Sequence, residues 1–259
     1  MSPRFPQEVF DYIIDYAKDH VADPQALLRT FSVVCTRWAA RCRRHRFDII
    51  FICNPRQLAR WCEAIPPTID GPSNYVTRLL IQSEGLPLVD EPIPLDPYLP
   101  HFSVLTRVTR LSLWSHRGRA HLDMIFQCFA AFRNNLNSLD LSENAFEFEE
   151  MSRIVEFFPN LEVLQVVIPR LDPADKDRQF PPLRRASFPR LKKLNLHLFS
   201  MHPALEDNIV AGFAEASVNL ETIFITGKVH NPGLIQKLLD SSAQSLTYLR
   251  LIPMGKFCS

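Results

Sequence analysis

One pattern runs through most of this chain: an apolar residue, two others, an apolar residue, one other, an apolar residue. It appears as Phe47…Ile50…Ile52, Val76…Leu79…Ile81, Val108…Leu111…Leu113 and Leu136…Leu139…Leu141. It continues as Leu161…Leu164…Val166, Leu191…Leu194…Leu196, Leu220…Ile223…Ile225 and Leu246…Leu249…Leu251. The intervals between copies are 29, 32, 28, 25, 30, 29 and 26 residues, too even for chance. In each copy the last two apolar positions alternate with other residues, which predicts a short strand with one buried face. Segments of helical period separate several copies: Leu58, Trp61, Cys62 and Ile65; Leu122, Ile125, Phe126 and Phe129; Phe148, Met151, Val155 and Phe158; Leu234, Leu238 and Leu239. Asn54-Pro55 and Asn231-Pro232 predict helix starts, the asparagine accepting from free N–H groups, and Pro159 predicts a stop. One strand–helix unit cannot bury its own apolar face, whereas stacked neighbours can. The expectation for residues 47–259 is therefore an α/β solenoid, a curved parallel sheet with helices on the convex side.

The run Leu136-Asn137-Ser138-Leu139-Asp140-Leu141-Ser142-Glu143-Asn144 resembles the LxxLxLxxN signature of leucine-rich repeats of the longer, helix-bearing type. The other copies carry His116, Pro169, Phe199, Lys228 or Met254 where that asparagine would stand, so the solenoid is expected to be irregular. Residues 83–103 and 168–190 each hold five prolines and are expected to be extended connections. The chain ends eight residues after Leu251, so the final strand is either covered in some other way or followed by more chain than this sequence holds.

Residues 4–46 do not follow the repeat. Phe5-Pro6-Gln7-Glu8-Val9 opens a helix along which Val9, Ile13 and Tyr16 share a face. Asp23-Pro24 opens another, along which Leu27, Leu28, Phe31, Val34, Cys35 and Trp38 recur at helical spacing. Together, Phe5-Pro6-Gln7-Glu8, Ile13-Ile14, Leu27-Leu28 and Val34-Cys35-Thr36-Arg37-Trp38 resemble an F-box of the fungal type. The departures are Phe5 in place of leucine and a longer link over residues 17–23. The resemblance implies docking on the Skp adaptor of a cullin–RING ubiquitin ligase, with Phe5, Pro6, Val9, Ile13, Leu27, Leu28, Val34, Cys35 and Trp38 as contact candidates. Independently, a helical segment this short cannot bury all of these side chains within itself. The surplus must meet the solenoid's end, as a cap, or a partner.

Other chemistries find little support. Seven glycines, with no GxGxxG and no GxxxxGK[ST], argue against a phosphate-cradling loop. There is no HExxH or GxSxG, and His116, His121 and Cys128 fit no metal spacing. No cofactor and no catalytic set is expected, so the chain reads as a binding protein rather than an enzyme. A net charge of +1 points to neither nucleic acid nor an anionic membrane. The basic run Arg37, Arg41, Arg43, Arg44, His45 and Arg46 fits nuclear import or nucleic-acid contact less well than a helix C-terminus, where the backbone dipole favours cations. Arg184, Arg185, Arg190, Lys192 and Lys193 suit a solvated loop better than a cluster that steers an acidic partner. The N-terminus lacks a secretory pattern, so an intracellular setting is expected, with the six cysteines reduced and serving as buried apolar fillers.

The concave face is the expected recognition surface. Between the buried leucines, one column reads Leu80, Ser112, Asp140, Gln165, Asn195, Phe224 and Arg250, and the next reads Gln82, Trp114, Ser142, Val167, His197, Thr226 and Ile252. Trp114, Asp140, Gln165, Asn195, His197, Phe224 and Arg250 are the candidates for contacting a target protein, since aromatic residues and arginine are enriched at interfaces. The expected role is that of a substrate-recognition subunit of a Skp–cullin–F-box ligase. The alternative is a leucine-rich-repeat scaffold whose helices only cap the solenoid.

Overall fold

The computed structural model of the chain describes residues 6–65, 67–68, 71–82, 98–114, 122–142, 148–168, 187–199, 203–227 and 230–253. Phe5, the asparagine-equivalent positions other than Phe199, and most of both proline-rich connections lie outside them.

Three helices open the described chain. α1 (Gln7–His20) starts after Pro6, with Glu8 in its first turn and Lys18 and His20 in its last, each where the backbone dipole favours it. α2 (Pro24–Ser32) is capped by Asp23, whose side chain accepts from the Ala26 amide at 3.0 Å. The helical spacing from Leu27 to Trp38 is interrupted before α3 (Thr36–Phe47). The Ser32 hydroxyl donates back to the Arg29 carbonyl at 2.6 Å, two β-branched valines follow, and Cys35 is extended. Ile14, Leu28 and Cys42 form the buried centre of this unit, with Phe31 and Trp38 packed on it. These two rings meet edge to face, with their centroids 4.8 Å apart. Asp15 clamps α1 to α3: Arg41 Nε donates to it at 2.9 Å, Arg41 Nη2 donates to its other oxygen, and His45 Nε2 lies 2.5 Å away. The Arg41 hydrogen bond is the main reason the Asp15 carboxyl titrates below its ordinary value.

The described chain then runs through β1 (Ile49–Ile52), α4 (Pro55–Ala64), a 3-10 turn (Pro72–Tyr75), β2 (Arg78–Gln82), α5 (Leu99–Ser103) and β3 (Arg110–Trp114). Next come α6 (Leu122–Phe129), a second 3-10 turn (Ala130–Phe132), β4 (Ser138–Ser142), α7 (Phe148–Phe157), β5 (Val163–Ile168) and the two-residue β6 (Ser187–Phe188). It ends with β7 (Lys193–Leu198), α8 (Pro203–Glu215), the two-residue β8 (Ser217–Val218), β9 (Thr222–Gly227), α9 (Pro232–Ser242) and β10 (Tyr248–Pro253).

All eight repeat copies supply neighbouring strands of one sheet, ordered β1-β2-β3-β4-β5-β7-β9-β10, with every pairing parallel. β6 and β8 pair with each other in a separate two-stranded sheet. The repeat is in register. Ile50, Leu79, Leu111, Leu139, Leu164, Leu194, Ile223 and Leu249 form one column, and the residues two further along form the next. From β1 to β9 both columns are buried against the helices in one continuous core. The same junction recurs at the foot of each strand, where two successive amides donate to one carbonyl of the preceding repeat. Thr77 and Arg78 donate to Asp48, Thr109 and Arg110 to Thr77, Asn137 and Ser138 to Thr109, and so on through Thr247 and Tyr248 to Glu221. These bonds pair the backbone groups just before each strand with the preceding repeat.

Several elements depart from expectation. Leu99–Ser103 is a helical turn inside a stretch expected to be extended. Asn54 caps α4 as expected, accepting from the Gln57 amide at 2.9 Å, but Asn231 makes no side-chain cap bond at α9. α8 was not foreseen. Leu205, Glu206, Ile209, Val210, Gly212 and Phe213 are all buried along it, so it lacks the polar stripe by which a surface helix is recognised. Its approach to α7 depends on Gly212, where an added Cβ would sit 2.3 Å from the Phe148 ring. Cys42 and Cys128 are buried fillers, with Cys128 pushed up to about 12 by desolvation, whereas Cys35 is exposed.

Candidate functional site

Two surfaces of the described chain carry the residues expected to make contacts. The first lies on the N-terminal helices. α1 turns Ile14 and Phe10 inward, which leaves Val9, Tyr12, Ile13 and Tyr16 on its outer side, all exposed. Tyr12 is 68 % exposed; its ring stacks on Tyr16, which stacks in turn on His20 at 4.0 Å. The break between α2 and α3 displays Val33, Val34 and Cys35, with Val33 at 83 %. This is a large apolar surface for a unit with three fully buried residues.

Of the docking candidates read from the sequence, Pro6, Val9, Ile13, Val34 and Cys35 are exposed, Leu27 and Trp38 are half-buried, and Phe5 lies outside the described residues. Leu28 is corrected: at 1 % exposure it belongs to the core and cannot reach a partner. The helical face of Leu27 and Leu28 is shared with the inward-facing Phe31, and the shorter α2 turns Leu28 fully inside. Tyr12 and Val33 are surface residues missed in the sequence. Tyr12 stands one turn from Tyr16, so its face could have been read; Val33 is presented by the unforeseen break.

The second surface is the face of the sheet turned away from the helices. Register aligns the two expected columns. Phe51, Leu80, Ser112, Asp140, Gln165, Asn195, Phe224 and Arg250 neighbour one another in turn, as do Gln82, Trp114, Ser142, Val167, His197, Thr226 and Ile252. Trp114 is half-buried and donates Nε1–H to Asp140 Oδ2 at 3.2 Å, while the Ser142 hydroxyl donates to Asp140 Oδ1. Phe224, also half-buried, lies between His197, at 5.6 Å between ring centroids, and the exposed Arg250, whose guanidinium sits 5.4 Å over its ring. Burial lowers the His197 pKa, and Asp140 partly opposes that shift. Neither Trp114 nor Phe224 is a bare aromatic awaiting a partner: each already has a neighbour on the face. Gln165 and Asn195 are half-buried between them.

A third column on this face passed unnoticed in the sequence. Ile49, Arg78, Arg110, Ser138, Val163, Lys193, Thr222 and Tyr248 are in register at the start of the strands. The same two-residue alternation that gave the other columns would have found it one step earlier in each strand. Arg78, Leu80, Arg110, Ser112, Ser138, Asp140, Val163 and Gln165 line a shallow depression of about 320 Å³ there.

Among the described residues, no group of three or more His, Cys, Asp or Glu side chains is placed to hold a metal ion. No described helix is long and apolar enough to cross a membrane. No model of a known protein family matches the chain, and no curated protein matches it.

Proposed function

We propose that this chain is the substrate-recognition subunit of a Skp–cullin–F-box type ubiquitin ligase, working inside the cell. In this reading α1, α2 and α3 are an F-box-like unit docked on the Skp adaptor. The sheet and its helices are an irregular leucine-rich-repeat solenoid whose open face holds a target protein. The chain does no chemistry of its own; it keeps the target beside the transferring enzyme and so raises its local concentration. One observation carries the reading. A three-helix unit with only Ile14, Leu28 and Cys42 fully buried exposes Val9, Tyr12, Ile13, Tyr16, Val33 and Val34, in a segment whose sequence already resembles an F-box.

The second reading, a scaffold with the helices as a cap, has its own support: α3 packs on β1 and on the Pro72–Tyr75 turn, beside the first strand of the sheet. Size-exclusion chromatography with the Skp adaptor separates the two. Co-elution of the wild type, lost in Val34→Asp with an unchanged melting temperature, supports the ligase reading. Val34 is chosen over Trp38 because Trp38 also holds the unit's own core together. If the wild type and the variant both elute apart from the adaptor, the scaffold reading stands instead.

A further inference from the structure

The charges of the open face are distributed in a way that its role as a target-binding surface does not itself require. The chain as a whole carries a net charge of +1. Its outward strand positions hold four fixed cations, Arg78, Arg110, Lys193 and Arg250, against the single carboxylate of Asp140. Three of the four stand in the column at the start of the strands, and that column has no acidic member. Arg78 and Arg110 are direct neighbours, which costs like-charge repulsion in the free protein. Arg78 is partly compensated by Asp48, 3.8 Å away. Arg110 and Lys193 are exposed and make no ion pair among the described residues. Asp140 stands in the next column and lines the same depression, so it offsets part of this charge, but it accepts from Trp114 and Ser142 and makes no ion pair with Arg78 or Arg110 among the described residues. The Ser112 and Ser138 hydroxyls complete the lining of the depression that holds the two guanidinium groups.

We propose that this column reads an extended acidic peptide laid across the strands, one carboxylate held at Arg78 and Arg110 and a second at Lys193. The inference rests on the open face being the target-binding surface and names the kind of target. A guanidinium donates two parallel N–H bonds to a carboxylate in forked geometry, a second guanidinium beside it adds charge, and serine hydroxyls add neutral donors. Neighbouring strands lie about 4.8 Å apart, so three steps from β3 to β7 span roughly 14 Å, or about four residues of extended peptide. The expected signature is therefore two acidic side chains about four residues apart, a spacing that a diffuse positive surface would not impose.

Fluorescence anisotropy with the full chain tests this. The probes are a Gly/Ser-rich peptide carrying two glutamates at that spacing, its two-glutamine counterpart, and a peptide with the glutamates adjacent. The spaced peptide should bind best, weaken as salt rises, and lose about tenfold or more in affinity with Arg110→Glu or Lys193→Glu. Lys237→Glu, on the helical side, should leave binding unchanged, and matching melting temperatures should exclude unfolding. Equal binding of the glutamine or adjacent-glutamate peptide overturns the proposal, as does indifference to both charge reversals. Binding only when the glutamates are replaced by phosphoserines overturns the carboxylate assignment, and equally tight binding of an oligonucleotide overturns the peptide assignment. Adaptor co-elution is a separate readout: if it persists while the acidic peptides fail, the ligase reading survives and this inference does not.

Discussion

His197 shows how one residue can report on the whole open face. Its ring lies between Phe199, at 5.9 Å, and Phe224, with the Thr226 hydroxyl 3.5 Å from Nδ1. Desolvation by these neighbours disfavours the imidazolium, and the attraction of Asp140 recovers only part of that loss, so the folded-state pKa falls below 6.5. The unfolded chain then binds the proton more readily than the folded one. The His197 contribution to stability is complete above pH 6.5 and is lost as the pH falls through the lowered folded value. Two-dimensional NMR should find this imidazole titrating below 6.5, and Asp140→Asn should lower it further by removing the favourable carboxylate. A titration at or above 6.5 would show that the ring is wetter than its aromatic neighbours imply. Asp15 follows the same sign: the contribution of the α1–α3 clamp is complete above the ordinary carboxyl value of 3.8 and is lost as the pH falls through the lowered folded value, so strong acid should loosen the N-terminal helices.

At the scale of the element, a repeat leucine counts for as much as its neighbouring strands make of it. Leu139 in β4 has a strand on either side and is fully buried, whereas Leu251 in β10 has β9 on one side and remains 47 % exposed. Leu139→Ala should cost about 2–5 kcal/mol by removing packed methyl groups and leaving a cavity, and Leu251→Ala under about 1 kcal/mol. Chemical denaturation of the two variants checks the contrast, and equal losses would mean that β10 is covered as fully as β4. The strands were legible because alternation over a fixed interval survives in the sequence whatever the loops do. α6 and α7 were legible because each keeps a polar side. α8 was not, because its polar residues are not gathered on one side and Glu206 is buried among apolar ones, and neither was the α2–α3 break, because Val34, Cys35 and Trp38 keep helical spacing across it. At the candidate site, sequence alone found two of the three outward columns. Leu28 was misassigned because a leucine pair does not reveal which member points inward.

For the whole molecule the decisive feature is that its two edges differ. α3 lies beside β1, at the start of the sheet, whereas β10 pairs only with β9 among the described residues and leaves Leu249 and Leu251 open to solvent. In a stack where each repeat contacts only its neighbours, stability is a sum of repeat and interface contributions, and a terminal repeat with one interface opens most easily. Opening should therefore begin at β10 and α9 and move inward, with β4 and β5, paired on both sides, the last to expose their amides. Native-state hydrogen exchange at increasing denaturant should resolve this order, the β10 amides exchanging through a small local opening and the β4 amides only near global unfolding. The clamped N-terminal end should not mirror it, because the Asp15–Arg41–His45 contacts and the α3 packing hold β1 from outside. One opening free energy shared from β1 to β10 would mean that the sheet unfolds as a single unit and that nearest-neighbour coupling does not govern it. β1 opening before β10 would mean that the helical unit does not brace the sheet, which would remove the support that the packing of α3 gives to the cap reading.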